Sequence, residues 1–523
     1  MARVLRSCLL VALAAAMVGC PKKEVPQPGQ EPRPSTRVAE GKVAALRASP
    51  DGAFLAYLTG CAALPPGLVP RGTQRCELRV VPATGGTAQL VAEGVTTLPH
   101  GFAWTPDGAL LALDGYDHAT GVGRLVQWDR SGGVRAIGDG VSFYAAAPGG
   151  RIGWVARGAL SIARPGAAAG PVEGATRVAT FEFAPSPDGA PSLLARRESD
   201  AGGELLAMAR PGAAGARLRT VAARAGDYRF SPRGDYAFTV REGEVEALAF
   251  ARAGEKPAPL RRNVQSFSFA PGGGAIAFVA DLAPGRQGDL WVAMLPATGA
   301  PSAPEKLAEG VGDFRWAAEA TRLAWLERFD PAIRAGALAT GGPGEKPVRL
   351  AEKVSAYDLS PDGTRVAFLE HVLAGGYSVN LVLARFGSGP AELQEIAKGV
   401  FGFELTPERD ALWYRTACTQ NGDVCDLYRV PASGLAAGAK PELLAQGIQT
   451  FDFDRLRPGR ALLGWARADR ASIDLGIWEK GKVTKVATAA LPGSAALLGP
   501  EGTRLAYAVV APGQEGVYVA DVK

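Results

Sequence analysis

The stretch Ser360-Pro361-Asp362-Gly363, followed after Thr364 by Arg365-Val-Ala-Phe368, shows the pattern that decides the fold. Proline presets φ at the first turn position, aspartate bonds its own backbone, and glycine accepts a positive φ. These four residues therefore predict a tight turn that leads into an apolar strand. The segment before such a turn, as in Val264–Phe269, alternates and is aromatic, which predicts a strand on the other side of the turn.

The same block recurs along the chain. Ser49-Pro50-Asp51-Gly52 and Thr105-Pro106-Asp107-Gly108 are close copies, whereas others keep only part of the turn or only its flanks. We count about eleven copies spaced by roughly 40–55 residues, the range of a four-stranded propeller blade. The looser copies lie around Pro148, Ser186, Ser231, Pro271, Trp316, Thr406, Phe451 and Pro500.

This pattern resembles the Pro-Asp-Gly type of β-propeller repeat found in TolB, a relative of the WD repeat, over nearly all of residues 36–523. The resemblance implies an all-β propeller fold of about eleven four-stranded blades. Because about four to eight blades are usual in one ring, we expect two rings. Residues 36–262 would hold blades 1–5 and residues 263–523 blades 6–11, with a crossover near Asn263. One large ring is the alternative.

The two ends of the repeat region complement each other. Arg37-Val-Ala-Glu-Gly41 repeats the fourth-strand motif seen at Leu90-Val-Ala-Glu-Gly94, and the chain finishes on a third strand, Gly516–Asp521. We therefore predict that residues 36–41 complete the last blade and seal its exposed edge.

The first residues predict export. Arg3 and Arg6 precede an uncharged apolar run over residues 8–18, which is too short to cross a bilayer. The run ends in Gly19-Cys20, which resembles a lipobox and implies cleavage of the signal peptide (residues 1–19) and lipidation of Cys20. The alternative is an ordinary secretory signal that ends beside a cysteine. Residues 20–35 then form the lipidated cysteine and a Pro-rich tether with almost no apolar side chain to bury, which we expect to be disordered.

These features place the protein at the cell envelope. Acyl chains on Cys20, as in the palmitate of lipoproteins, would anchor it to the membrane. Pro21 rather than Asp after the cysteine favours, by the lipoprotein resemblance, the outer membrane, on its periplasmic face or at the cell surface. The charge balance, 57 basic against 52 acidic residues, does not indicate a nucleic-acid partner.

Four further cysteines form two local pairs, Cys61 with Cys76 and Cys418 with Cys425. An even number of cysteines in an exported protein favours disulfides. In the repeat alignment both pairs lie at the same place, between the second and third strands of blades one and nine. We therefore predict two disulfides and not a metal site.

The sequence offers few reactive groups. It lacks a Gly-x-Ser-x-Gly elbow, a Walker loop and a Cys-x-x-Cys motif. The histidines, His100, His118 and His371, are assigned to different blades. His100 at the channel entrance is a candidate ligand, with an ordinary loop role as the alternative. Asp114-Gly-Tyr-Asp117 and Asn421-Gly-Asp423 miss the spacing of a calcium loop. We predict no catalytic residue, cofactor or metal.

One constellation follows from the repeat. The residue three places before the turn proline lies on the first strand, which faces the channel in propellers. Asp358, Glu404 and Asp452 are acidic in three consecutive blades and form a candidate binding patch. Pairing of charges between adjacent blades, or simple hydration, is the alternative. The eleven equivalent positions are Arg47, Ala103, Ala145, Glu182, Arg229, Ser268, Arg315, Asp358, Glu404, Asp452 and Leu497.

Together these observations predict a non-catalytic scaffold, a monomer, that binds a protein, peptide or glycan partner at the membrane surface. TolB-like proteins act as periplasmic interaction partners of envelope complexes, but this chain has about twice their number of blades and lacks their N-terminal domain. That specific role therefore does not transfer. The alternative is a carbohydrate-active or lyase-type propeller enzyme that uses carboxylates in the channel.

Overall fold

A computed structural model describes most of the repeat region, and the predicted signal peptide, Cys20 and the tether as far as residue 30 lie outside the described residues. So does Asn421 of the second rejected calcium motif. The described residues are 31–64, 70, 72–131, 133–163, 170–185, 193–200, 202–208, 218–252, 255–283, 287–330, 332–372, 378–386, 390–406, 411–419, 422–431, 441–454, 459–469, 471–499 and 501–522.

The regular elements of the described part are forty β-strands, and it contains no helix, so none that could cross a membrane. The first twenty are β1 (Ser35–Glu40), β2 (Val43–Ala48), β3 (Phe54–Ala63), β4 (Gln74–Pro82), β5 (Gln89–Thr96), β6 (Phe102–Trp104), β7 (Leu110–Asp117), β8 (Val122–Trp128), β9 (Val134–Ala147), β10 (Arg151–Ala156), β11 (Ala159–Ala163), β12 (Gly170–Pro171), β13 (Val178–Phe183), β14 (Leu193–Ser199), β15 (Gly202–Met208), β16 (Arg219–Ala223), β17 (Ala225–Phe230), β18 (Tyr236–Glu242), β19 (Val245–Ala251) and β20 (Ala258–Arg261).

The second half continues in the same way. Its strands are β21 (Val264–Phe269), β22 (Ala275–Ala283), β23 (Gln287–Met294), β24 (Glu305–Trp316), β25 (Leu323–Asp330), β26 (Ala335–Gly341), β27 (Val348–Leu359), β28 (Arg365–Val372), β29 (Ser378–Arg385), β30 (Glu392–Lys398), β31 (Val400–Leu405), β32 (Ala411–Thr416), β33 (Cys425–Pro431), β34 (Glu442–Phe453), β35 (Arg460–Ala466), β36 (Ile473–Glu479), β37 (Lys482–Ala490), β38 (Ala496–Leu498), β39 (Arg504–Val509) and β40 (Gly516–Asp521).

The strands pair as antiparallel four-stranded blades, which confirms the all-β propeller class. Blade 1 is β2-β3-β4-β5, and blades 4 and 5 are also separate four-stranded sheets. Elsewhere one long strand serves two blades. β9, β24, β27 and β34 each form the outer strand of one blade and then the inner strand of the next, so several blades merge into larger sheets.

The Pro-Asp-Gly turn closes the hairpin between the first and second strands as its chemistry predicts. In blade 1 the amide of Gly52 donates to the Ser49 carbonyl (2.8 Å), and Gly52 has a φ of 68°. The Ser49 hydroxyl donates to the Asp51 carboxylate (2.7 Å) and accepts the Phe54 amide (3.0 Å). Ser360 and Asp362 repeat this arrangement in blade 8, which explains why the serine or threonine recurs with the aspartate.

The second strand of each blade is a continuous apolar run because its sheet is covered on both faces by neighbouring blades. In β3, Leu55, Ala56, Tyr57 and Leu58 are all buried. The described core residues form eleven clusters, and each cluster joins two blades that are consecutive along the chain or joins blade 11 to blade 1.

This packing has the order of one ring of eleven blades, which was the alternative interpretation. Two separately closed rings would also require packing between blades that are not consecutive, and no core cluster formed by the described residues shows it. The expected crossover near Asn263 falls between blades 5 and 6. There Leu248 and Phe250 pack on Val264 and Ile276 in an ordinary blade-to-blade cluster.

The ring closes through the start of the chain. β1 pairs antiparallel with β40, with Ser35 opposite Ala520 and Glu40 opposite Gly516, so β1 is the outermost strand of blade 11. Val38 and Ala39 of β1 are buried in the cluster that joins blades 11 and 1. The last blade is therefore built from both ends of the repeat region.

Antiparallel blades give the ring two distinct faces. We call one the turn face, because it carries the first-to-second turns and the third-to-fourth connections. In blade 1 these are the turn at Asp51 and the segment 83–88, joined where the Ala83 amide donates to the Ala53 carbonyl (2.8 Å). The opposite face, the hairpin face, carries the second-to-third hairpins. Both disulfides, Cys61–Cys76 and Cys418–Cys425, are present and lie on the hairpin face.

Candidate functional site

All eleven predicted channel positions lie on first strands. In ten blades they are the next-to-last residue of that strand, and in blade 3 Ala145 lies two residues before its end. Each pairs with the second strand of its own blade, for example Arg47 with Ala56, Asp358 with Ala367 and Glu404 with Trp413. The repeat therefore places these side chains in one circle around the channel.

Two of the cations in this circle bind the neighbouring blade. The Arg47 guanidinium donates to the Phe102 carbonyl of blade 2 (2.5 Å) and lies 4.5 Å from the centre of the Phe102 ring. Arg315 of blade 7 makes the same contacts with Tyr357 of blade 8, at 3.4 Å to the carbonyl oxygen and 5.3 Å to the ring centre. Arginine at this position thus ties one inner strand to the next.

A second inter-blade link was not predicted from the sequence. The indole Nε1–H of Trp104 donates to the Arg47 carbonyl, and that of Trp316 donates to the Ser268 carbonyl, both at 3.2 Å. In each case tryptophan directly follows the channel position of its own blade and reaches back to the channel residue of the blade before. The recurrence of tryptophan at this place in blades 2 and 7 was the available signal.

Opposite charges also meet across blade boundaries. Loss of hydration raises the pKa of Glu182 in blade 4, and the Arg229 guanidinium in blade 5 opposes that rise. Asp358 in blade 8 behaves alike: loss of hydration raises its pKa, whereas the Leu359 amide (3.0 Å) and Arg315 of blade 7 lower it. These pairs support the alternative interpretation, in which channel charges compensate each other between blades.

The three predicted acidic residues are electrostatically coupled. Loss of hydration raises the pKa of Glu404 although its side chain still reaches solvent, Arg415 opposes the rise, and Asp452 and Asp358 add to it. Glu404 therefore lies between two carboxylates from the neighbouring blades. The arrangement is an acidic arc on the inner wall of blades 8–10, with Arg315 at one end and Arg415 beside its centre.

The assignment of the three histidines to different blades was wrong for two of them. His118 lies on the hairpin of blade 2, and His100 lies two residues before the first strand of the same blade. Both pack on Tyr116, with ring centres 5.2 Å (His100) and 4.9 Å (His118) away. Loss of hydration lowers the pKa of both imidazoles; His118 lowers that of His100 further, and Arg75 that of His118. His100 is thus part of an aromatic corner at the hairpin face.

The loop carboxylates of this corner are used by the hairpin itself. Asp114 accepts the Glu93 amide (2.8 Å) and pairs with Arg124 (3.0 Å). Asp117 accepts the Thr120 hydroxyl (2.7 Å) and the Ala119 amide (2.9 Å). Within the described ranges, histidine, cysteine and carboxylate side chains form no group of three that could hold a metal ion.

The fold and its inner wall thus define the class of this protein as a β-propeller. No protein-family model matches the chain, and no curated protein matches it. Among solved structures, a eukaryotic initiation factor is similar with a TM-score of 0.42 and 14% identity over 70% of this chain and 93% of that one.

Two further similar structures are propellers by name. The β-propeller domain of the Trilobed protease from Pyrococcus furiosus has a TM-score of 0.28 and 14% identity over 59% of this chain and 97% of that one. The Dos1 propeller has a TM-score of 0.33 and 10% identity over 67% and 95%. Likeness at this level transfers no activity, substrate or partner, because propellers carry unrelated functions.

Proposed function

We propose that this chain is a lipid-anchored envelope protein whose propeller is a non-catalytic scaffold for a protein, peptide or glycan partner. Its repeats would belong to the TolB type, and Cys20 would carry the lipid that holds it to the outer membrane. The partner would contact the channel mouth or the loops of a ring that stays rigid.

The observation that carries this proposal is the position of β1. β1 begins at Ser35, the last residue assigned to the tether, and it is also the strand that closes the ring, since it pairs with β40 along its length. Arg33, just before β1, donates through Nη1 to the Asp521 carbonyl (3.2 Å), so the chain is already held by blade 11 where it enters the ring. The tether would therefore be connected to the ring through ordered, hydrogen-bonded backbone, which would hold a rigid scaffold close to the membrane.

The test is capture of envelope partners by chemical crosslinking, with the full chain and a Cys20→Ser variant as a matched control. We expect a small set of envelope components to be retained by the anchored protein and lost with Cys20→Ser. Retention of the same set by both forms would separate partner binding from the anchor and would contradict the anchored part of the proposal.

The acidic arc gives the scaffold a testable contact. A partner that binds these carboxylates should be captured less well by a triple variant that combines Asp358→Asn, Glu404→Gln and Asp452→Asn. Glu182→Gln, on the far side of the channel, should not reduce capture. If capture is unchanged while stability falls, the arc has a structural role only.

One observation favours the enzyme alternative. The carboxyl of Glu404 has a raised pKa and two carboxylate neighbours, an arrangement that can provide a proton donor beside a charged partner. Incubation of the purified protein with envelope glycans and acidic polysaccharides tests it. Cleavage that Glu404→Gln abolishes, and that Glu182→Gln leaves intact, would replace the scaffold with a carbohydrate-active or lyase-type enzyme.

A further inference from the structure

Exposed large apolar side chains occur on both faces of the ring, and more of them lie on the turn face than on the hairpin face, where Leu282, Ile333 and Phe401 are exposed. Eight large apolar residues are exposed in the described part of the chain. Five of them lie where an outer strand meets the turn face, at the start of a fourth strand or the end of a third strand. They are Leu90 (38% exposed), Val134 (40%), Met294 (41%), Val348 (40%) and Leu393 (53%).

Three of these five belong to consecutive blades. Met294 ends the third strand of blade 6, whereas Val348 and Leu393 begin the fourth strands of blades 7 and 8. Leu90 and Val134 hold the same place in blades 1 and 2. We call these five residues the apolar rim. Single exposed apolar residues are ordinary on soluble proteins, but their repetition at one height of the ring marks one face.

The chain that precedes β1 enters the ring on this same face. The Arg33 amide donates to the Lys485 carbonyl (3.3 Å), and its guanidinium donates to the carbonyl of Asp521, the last residue of β40. The next residue, Val522, donates through its amide to Thr503 in the first-to-second turn of blade 11 (2.8 Å). Arg33 therefore lies at the turn face, where it lines a shallow pocket together with Glu479 and Lys482.

We propose that the turn face is the lipid-facing surface of the ring, with the apolar rim in contact with the headgroup region of the membrane that holds the anchor. This inference rests on the proposed lipidation of Cys20. The fourteen residues from Cys20 to Arg33 can extend to about 45–50 Å at most. A tether of that reach keeps the turn face near the bilayer, where partial burial of apolar side chains is favourable.

In this arrangement the two faces of the ring would have different roles. The hairpin face, with both disulfides and the corner around Tyr116, would point away from the membrane and stay open to a partner. The apolar rim would limit tilting of the ring on its tether.

The experiment compares the two faces in the lipidated full chain on vesicles of phosphatidylethanolamine and phosphatidylglycerol that carry an energy acceptor on their headgroups. A fluorescent amino acid is encoded either at Thr84, on the turn face of blade 1, or at Ala119, on the hairpin face of blade 2; both positions are exposed. Using an encoded fluorophore leaves the disulfides untouched. We expect clearly stronger transfer to the membrane from position 84 than from position 119.

The apolar rim is tested with Met294→Thr, Val348→Thr and Leu393→Thr combined, against Leu282→Thr and Ile333→Thr, which are exposed apolar residues at the hairpin face. All five are exposed, so both variants should fold. The rim variant should lose most of the difference between the two fluorophore positions, and the control should keep it. Equal transfer from both positions in the unmodified chain, or a rim variant that behaves like its control, would overturn the inference.

Two other results would be decisive. If the lipidated chain does not bind the vesicles better than Cys20→Ser, the proposed anchor fails first, and that failure is visible before any comparison of faces. If the unmodified chain sediments as a dimer and the rim variant as a monomer, a second copy covers the turn face and the lipid surface does not.

Discussion

At the scale of single residues, the channel positions show how one place in a repeat acquires different chemistry. Arg47 and Arg315 bond to the inner strand of the next blade, whereas Glu404 lies between two other carboxylates. The repeat sets where each side chain begins, and the residue on the adjacent blade decides what it meets. Charge at a channel position therefore has a structural or a binding consequence only in the context of its neighbours.

The raised pKa values of Asp358 and Glu404 predict a pH dependence of stability. Their ordinary values are 3.8 and 4.5, and both are higher in the folded chain. The folded state then holds these protons more tightly than the unfolded state, so the stabilisation is full below the ordinary values and is lost as the pH rises through the folded values.

We expect Asp358→Asn combined with Glu404→Gln to remove this loss. Near pH 7 the variant should be as stable as the parent, or more stable by less than about 1 kcal/mol, because the carboxylates reach solvent. Near pH 3 the variant should gain no stability over the parent. Urea unfolding at both pH values measures it. A marked loss of stability near neutral pH would mean that the Arg315–Asp358 pair outweighs the repulsion.

At the scale of elements, the turn of blade 10 departs from the repeat. Asp454 stands at the position that serine or threonine holds in blades 1, 2, 5, 8 and 9. It forms a fully buried ion pair with Arg460 (2.6 Å from Nε), the first residue of β35. The guanidinium also donates to the Gly502 carbonyl in the turn of blade 11. A local sequence change has thus become a link between two blades.

Breaking the ion pair by removing one partner should destabilise the protein strongly, whereas replacing both partners should change the stability little. We expect Asp454→Ser to destabilise the protein by about 3–5 kcal/mol, because it leaves a buried guanidinium without its carboxylate. Adding Arg460→Leu gives blade 10 the combination of a serine and an apolar residue that blade 1 has at Ser49 and Phe54, and it should recover most of that loss. Chemical unfolding of both variants measures the coupling, and a double variant no better than the single one would contradict this account.

The two disulfides close loops of different length, with sequence separations of 15 and 7. Chain entropy alone gives about 3 kcal/mol for Cys61–Cys76 and about 2 kcal/mol for Cys418–Cys425. Paired serine replacements at each site should therefore lower the free energy of unfolding in that order. The reverse order would show that native contacts of the hairpins, and not loop length, set the contribution of each bridge.

At the scale of the whole molecule, stability depends on an unbroken circle of blade-to-blade packing. β1 supplies buried Val38 to the cluster that joins blades 11 and 1. We expect Val38→Asp to open this interface and cost at least about 3 kcal/mol, because it places an unpaired charge in an apolar cluster. Thr36→Asp, on an exposed position of the same strand, is the control, and hydrogen exchange at β40 reports the opening. Unchanged protection of β40 in Val38→Asp would show that closure does not depend on this strand.

What the sequence determined by itself is local. The turn chemistry, the period, the strand order within a blade and the match between Arg37–Gly41 and the other fourth strands were all readable, because each depends on a few neighbouring residues. The eleven channel positions followed from alignment of the repeats, and both cysteine pairs followed from that alignment together with the even number of cysteines in a chain predicted to be exported.

Only the tertiary structure decided how the blades pack on one another and which side chains from different segments meet. The order of blade packing favours one ring over the expected two, because the curvature of a ring is the sum of small angles between blades and no single repeat encodes it. Likewise the contact of His100 and His118 with Tyr116, and the hydrogen bonds of the tryptophans to the preceding blade, depend on tertiary packing, which sets the distance between residues that are separated in the sequence. The sequence specifies each blade, and the packing of blade on blade specifies the ring.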